Sequence, residues 1–164
     1  AVRVPKDHPE RRLAAARSAD EAAGLLREWG QAATPLSDAE LAAVDDAIRA
    51  HAFSAGETPE TALGRALQDA DRLDALGVIG FMRLVSTAQR MGSGYYDGGD
   101  PWAAARPLDD KRFALDHVFR KLVHLPGGMH FEAARVEGER RLGVLQALCG
   151  ELGAEIGVTQ PPPA

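Results

Sequence analysis

The sequence predicts an all-α protein, a single-domain bundle of about six helices. Three observations carry that expectation. The 164 residues are 45% hydrophobic but only 5% aromatic, and the abundant Ala, Leu, Arg and Glu are strong helix formers that build cores from aliphatic contacts. No segment alternates as a half-buried strand would, and no internal repeat is present. The length suits one domain with one sizeable core.

The elements follow in order. Asp7 or His8 caps a first helix with Pro9 in its first turn, which runs to about Trp29 and stops at Gly30. Ser37-Asp38-Ala39-Glu40 has capping-box spacing, opening a second helix that extends to about residue 53. Thr58 caps a third, with Pro59 in its first turn and its end at Gly77. A fourth, Val78 to Met91, is apolar on most sides and reads as the centre of the bundle. Residues 92 to 108 form a long glycine-rich loop, and loops of this length are usually functional or disordered. Two more helices, about 109 to 124 and 130 to 153, flank Pro126-Gly127-Gly128. Residues 1–158 make the helical domain, and 159–164, with Pro161-Pro162-Pro163, a mobile tail.

Composition excludes some functions. A formal net charge of -5 offers no general attraction to a nucleic acid polymer or an anionic membrane, so any phosphate must meet a local cluster of cations. No apolar run approaches the roughly 18 residues that span a bilayer, and the expectation is that no signal peptide precedes the first helix. The single cysteine, Cys149, cannot form an internal disulfide and reads as a buried, inert thiol of a cytoplasmic protein. HExxH, CxxC, P-loop and GxSxG patterns do not occur, which removes the common protease, zinc-finger, NTPase and serine-hydrolase readings.

The chemistry centres on Leu67-Gln68-Asp69-Ala70-Asp71-Arg72-Leu73-Asp74-Ala75-Leu76-Gly77. At about 100° per residue, Leu63, Leu67, Ala70, Asp74 and Gly77 share one stripe, with Asp71 on its flank. An inward carboxylate costs several kcal/mol unless a cation, a metal or several donors meet it. The structural alternative is an ion pair with Arg72, Arg83 or Lys121. On the second helix, Leu41, Val44, Ile48 and His51 share a face, so an antiparallel pairing of the second and third helices would bring His51 to Asp71. Imidazole and carboxylate together suit Mn²⁺ or Mg²⁺, and also Fe²⁺ or Zn²⁺. Asp74, nearer the centre of the stripe, is expected to be structural, paired with a cation or bonded to backbone N–H groups. Lys6, Arg72, Arg83 and Lys121 suit a phosphoryl group clamped beside a metal. Tyr95, Tyr96 and Trp102 lie in the glycine-rich loop, where their rings could stack on a base beneath a mobile cover. His8, His124 and His130 receive no role, and Glu132, Glu137, Arg140 and Arg141 read as an ordinary charged face.

Ala47-Ile48-x-x-His51 followed by Asp69-Ala70-Asp71-Arg72-Leu73-Asp74-Ala75-Leu76-Gly77-x-Ile79-Gly80-x-x-Arg83 resembles the HD-domain metal-dependent phosphohydrolase superfamily, in particular small bacterial HD-domain nucleotide pyrophosphohydrolases. Val4-Pro5-Lys6, Phe119-x-Lys121-Leu122 and Ala133-Ala134-Arg135 extend the likeness over almost the whole chain. The resemblance implies an α-helical bundle of HD type, a divalent metal held by an H…HD…D set, and hydrolysis of a small phosphorylated substrate, most plausibly a nucleotide, with release of pyrophosphate or phosphate. It gives Asp71 the role of the later metal-binding aspartate, His51 that of an additional histidine contacting phosphate or a second metal, and Lys6, Arg72 and Lys121 phosphate contacts. The chain departs from the pattern in having no His-Asp doublet. The expectation is that a segment ahead of Ala1 carries it. The alternative is a degenerate, non-catalytic domain that binds a ligand or partner. A homodimer is left open.

Overall fold

The computed structural model describes residues 9–32, 35–51 and 58–158. Lys6, the expected cap at Asp7 or His8, and the tail at 159–164 lie outside them. Among the described residues there are six α-helices, α1 (Ala14–Ala32), α2 (Asp38–Ala50), α3 (Ala62–Asp74), α4 (Gly77–Met91), α5 (Ala114–Arg120) and α6 (Glu132–Glu155), with short 3₁₀ turns before α1 and after α5. The fold is all-α, and among the described residues the β pairing is a single isolated bridge between Gly94 and Phe113. No described helix is long and apolar enough to cross a membrane. The chain divides into two compact units, Ala1–Asp71 and Arg72–Ala164.

In the first unit, α1 and α2 pack side by side. Ala19 of α1 and Ala47 of α2 are buried, and side chains this small let helices approach closely. Arg49 of α2 ties the pair by bonding Asp45 on its own helix at 2.7 Å and Asp20 of α1 at 2.5 Å. The capping box forms as its spacing predicts. Ser37 Oγ accepts from Glu40 N at 3.3 Å, and Glu40 Oε2 accepts from Ser37 N at 2.8 Å. The third helix starts three residues later than expected, because Thr61 and not Thr58 caps it, with Thr61 Oγ1 accepting from Gly64 N at 3.1 Å. Gly64 is where α3 meets α2. A Cβ there would lie 2.7 Å from Pro59 Cβ and 3.6 Å from Ala47 Cα, so only glycine fits without displacing backbone.

The second unit holds the larger core, built from Leu76, Leu115, Val118, Leu122, Leu145 and Cys149, with Trp102 and Phe119 against them. Its central helix is α5, where Ala114, Leu115, Asp116, Val118 and Phe119 are all buried. That corrects the expectation for α4, whose Val78, Ile79 and Met82 stand more than half exposed. High apolar content does not fix which helix is surrounded; α5 is short, and most of its residues enter the core of the second unit. The turn from α3 to α4 is tight enough that a Cβ on Gly80 would sit 2.2 Å from the Ala75 carbonyl oxygen, and Gly77 adopts φ +70°. Arg141 of α6, expected on an ordinary charged face, closes this turn by donating to the Leu73 carbonyl at 2.9 Å while Glu137 holds its other side at 2.7 Å.

The glycine-rich loop is a fastened strap, not the loose cover expected. Gly94 N donates to Arg112 O at 3.0 Å, and Leu115 N donates to Tyr95 O at 2.9 Å. Asp97 Oδ1 accepts from Gly99 N at 2.9 Å, and the Asp100 carboxylate accepts from Ala104 N at 2.8 Å and Ala105 N at 2.9 Å. Those bonds from Ala105 and Ala104 hold the Asp100 carboxyl below the usual carboxylate range. Trp102 is 5% exposed and meets Phe119 edge to face at 6.0 Å. It is a core residue and cannot stack on a ligand. Asp116, 0% exposed, accepts from both terminal nitrogens of Arg106 at 2.5 and 2.8 Å and from Asp109 N at 2.6 Å. This buried bidentate pair pins the end of the strap to α5.

Candidate functional site

His51 ends α2. Its Nδ1 lies 2.5 Å from the Ile48 carbonyl, an oxygen that only accepts, so Nδ1 carries the proton of that bond and Nε2 is not the atom that makes it. That is the arrangement that orients a metal-binding or phosphate-contacting imidazole. The last carbonyls of α2 add partial negative charge, which favours a cation at this end of the helix.

The buried acid of α3 is Asp69. Gln68 Nε2 donates to Ala50 O at 3.3 Å, which fixes residue 68 of α3 against the last residue of α2. The next residue, Asp69, is 2% exposed, whereas Asp71 is exposed. The inward position expected for Asp71 is therefore not observed, nor is that expected for Asp74. The contacts of Gly64 with Ala47 and of Gln68 with Ala50 advance in the same sense along both helices, so the antiparallel pairing expected to join His51 to Asp71 does not form. The cause lies in the helix phase. Alanines at 66 and 70 carry little burial preference, while Gly64 and Gln68, four residues apart, turn toward α2 because one permits close approach and the other satisfies a terminal carbonyl. That glycine and amide at i, i+4 was the signal available in the sequence for Asp69.

The other predicted residues are distributed as follows. Arg72, half-buried, donates from Nη1 to the Gly128 carbonyl. Asp74 is exposed and paired with Arg83, which also donates to the Asp74 carbonyl at 3.1 Å. The expected pairing with a cation is present, at the surface and not in the core. Lys121 caps the end of α5 and is half-buried. Tyr95 is nearly half exposed, with its hydroxyl bonded by Gln89 Nε2 at 2.6 Å, and Tyr96 packs partly against the core. A histidine and carboxylate pair given no role from the sequence stands beside Lys121. Asp110 faces His117 Nδ1 at 3.0 Å and Arg120 Nη1 at 3.2 Å. Burial pushes the Asp110 carboxyl up, but the His117 bond and the Arg120 charge outweigh it and hold the group below its ordinary value.

Among the described residues, no three or more His, Cys, Asp or Glu side chains converge as a complete metal-binding group. His51 and Asp69 nevertheless match a divalent cation in kind, one as an imidazole and the other as a buried carboxylate.

These features define a helical protein in which an imidazole ends one helix and a buried acid lies on the helix joined to it by Gln68. No protein-family model matches the chain. It is similar to YpgQ, an uncharacterized protein of Bacillus subtilis, at 33% identity over 93 residues, which is 57% of this chain and 40% of that protein. The fold is similar to the crystal structure of Bacillus subtilis YpgQ in complex with ADP, with a TM-score of 0.64 at 26% identity over 84% of this chain and 63% of that one. It also resembles a crystal structure from Lactobacillus plantarum, with a TM-score of 0.60 at 24% identity over 88% of this chain and 74% of that one. That likeness shows the fold alone. The chain spans about two fifths of the curated relative it matches.

Proposed function

We propose that this chain belongs to a cytoplasmic metal-dependent phosphohydrolase acting on a small phosphorylated substrate, most plausibly a nucleotide. The observation that carries the reading is His51, whose Nδ1–H is committed to Ile48 O on α2, the helix that Gln68 joins to α3 with its buried Asp69. Support comes from the likeness to YpgQ, whose crystal structure contains ADP. Asp69 takes the part that the sequence reading gave to Asp71, and with His51 it would hold a divalent cation, Mn²⁺ or Mg²⁺ foremost. Such a cation, when bound, supplies Lewis acidity and lowers the pKa of water. His51 orients a phosphoryl oxygen or the attacking water through Nε2, kept in one tautomer by the Ile48 carbonyl. Asp69 contributes negative charge that water does not screen.

The test is metal analysis of the full-length protein, followed by a nucleotide panel read separately for pyrophosphate and phosphate. Metal-dependent release that falls at least about a hundredfold in both His51→Asn and Asp69→Asn supports the proposal. Absence of release from every nucleotide with Mn²⁺ or Mg²⁺ present, or full activity in both variants, overturns it.

A further inference from the structure

We propose that an apolar pocket of the second unit is a docking site for this chain's own proline run, Pro161-Pro162-Pro163, which seats there as a polyproline II segment. The pocket has a volume of about 210 Å³ and is lined by Phe81 and Leu84 of α4, Tyr95 and Tyr96 of the strap, Leu115 of α5 and Leu152 of α6, among others. The proline run belongs to the same unit, Arg72–Ala164. The described residues stop close to this wall. Gly157 turns the chain back with φ +75°, and Val158 N donates at 2.8 Å to the carbonyl of Gly153, the residue after Leu152. Val158 packs against the same core as Phe81, Leu84, Tyr96 and Leu152. A polyproline II segment rises about 3.1 Å per residue, so Pro161 can reach about 9 Å and Pro163 about 15 Å beyond Val158. The tether selects the occupant, because a short link presents the run at an effective concentration in the millimolar range, where a contact too weak to hold a free ligand is filled.

The chemistry of the wall suits prolines. It presents only apolar atoms, so a segment that buried N–H groups against it would strand them at a cost. Proline has no N–H and a fixed φ, so a run of three buries ring carbons without a stranded donor and gives up little backbone freedom. Aromatic-lined grooves recognise proline-rich segments in this way. Tyr95 and Tyr96, both tyrosines of the chain, supply the rings. The backbone holds them in place, since Leu115 N donates to Tyr95 O and Ala114 N to Gly94 O, each at 2.9 Å. The Tyr95 hydroxyl accepts from Gln89 Nε2 at 2.6 Å, which leaves its own proton to donate to a carbonyl of the run. The volume lies above the roughly 150 Å³ of an apolar cavity that accepts benzene, which is room for a proline ring. Thr159 and Gln160, both polar, serve as the link. The contact is independent of the phosphohydrolase reading.

The experiment is NMR of the full chain, read at the Tyr95 and Tyr96 rings, the Leu84 and Leu152 methyl groups and the prolyl ring protons. Nuclear Overhauser contacts between Pro161, Pro162 or Pro163 and the tyrosine rings are expected, unchanged on dilution. Replacing all three prolines together, Pro161→Ser, Pro162→Ser and Pro163→Ser, alters only the tail, and it should abolish those contacts and shift the ring and methyl signals. A synthetic Thr-Gln-Pro-Pro-Pro-Ala peptide added to that variant should restore the original signals with half-saturation at about 1 mM, and a peptide with serine in place of the prolines should bind at least about tenfold more weakly. Absence of contacts between the prolines and the rings, or ring and methyl signals identical in the full chain and the serine variant, overturns the inference. So does peptide binding that is no weaker with serine than with proline. Contacts that appear between differently labelled copies and grow with protein concentration overturn the assignment to the chain's own tail and give the pocket to a second copy.

Discussion

Replacing Arg106 by Met should destabilise the second unit by about 3 kcal/mol, because it strands a carboxylate that has no access to water. Asp116 is fully buried and takes two bonds from Arg106, at 2.5 and 2.8 Å, and one from Asp109 N, at 2.6 Å. Breaking a buried pair on one side typically costs about 3–5 kcal/mol, and the low end applies because the Asp109 N–H remains and the Arg106 side chain keeps 20% of its surface in solvent. The assay is urea denaturation followed by Trp102 fluorescence in a Trp29→Phe background, so that the signal reports the core of the second unit. The same measurement on Asp116→Asn and on the double variant closes a cycle. The double variant should be less destabilised than the sum of the two singles, since neutralising the acid removes the stranded charge. A cost below about 1 kcal/mol for Arg106→Met, or simple additivity in the cycle, would refute the view that this pair fastens the strap.

Further outcomes follow from the same geometry. Ser37→Ala should lower the stability of the first unit by about 1 kcal/mol, read by circular dichroism during thermal unfolding, through loss of the cap at Glu40 N. Because the folded Asp110 carboxyl titrates below its ordinary value of 3.8, its stabilising effect is present above that value and lost as pH falls through the lower folded one. Asp110→Asn should flatten this part of the acid limb of a stability profile, and an unchanged limb would show that the contacts with His117 and Arg120 contribute nothing. Burial pushes the Cys149 thiol up to about 11, so a thiol reagent at pH 8 should label the native protein far more slowly than the urea-unfolded chain. Asp69→Asn should reduce metal affinity by at least about tenfold while Asp71→Asn leaves it nearly unchanged. The opposite ranking would return the ligand role to Asp71.

Features decided within a few residues were legible in the sequence. Ser37 and Glu40 are three residues apart and satisfy each other's backbone without help from the rest of the fold. Gly92 ends α4 with φ +71°, a conformation that glycine adopts at little cost. The all-α class follows from the same short-range preferences summed along the chain. Features that need a distant partner were not legible. The face of α3 turned inward depends on Gln68 finding Ala50 O, eighteen residues away, and a rotation of one position exchanges Asp69 for the exposed Ala70. The glycines of the 92–113 segment suggested looseness, yet Trp102 entering the core and Arg106 reaching Asp116 hold it down. Helix periodicity offers several nearly equal ways to face a core when alanine and acids share the stripe, and only the contacts of tertiary packing choose among them.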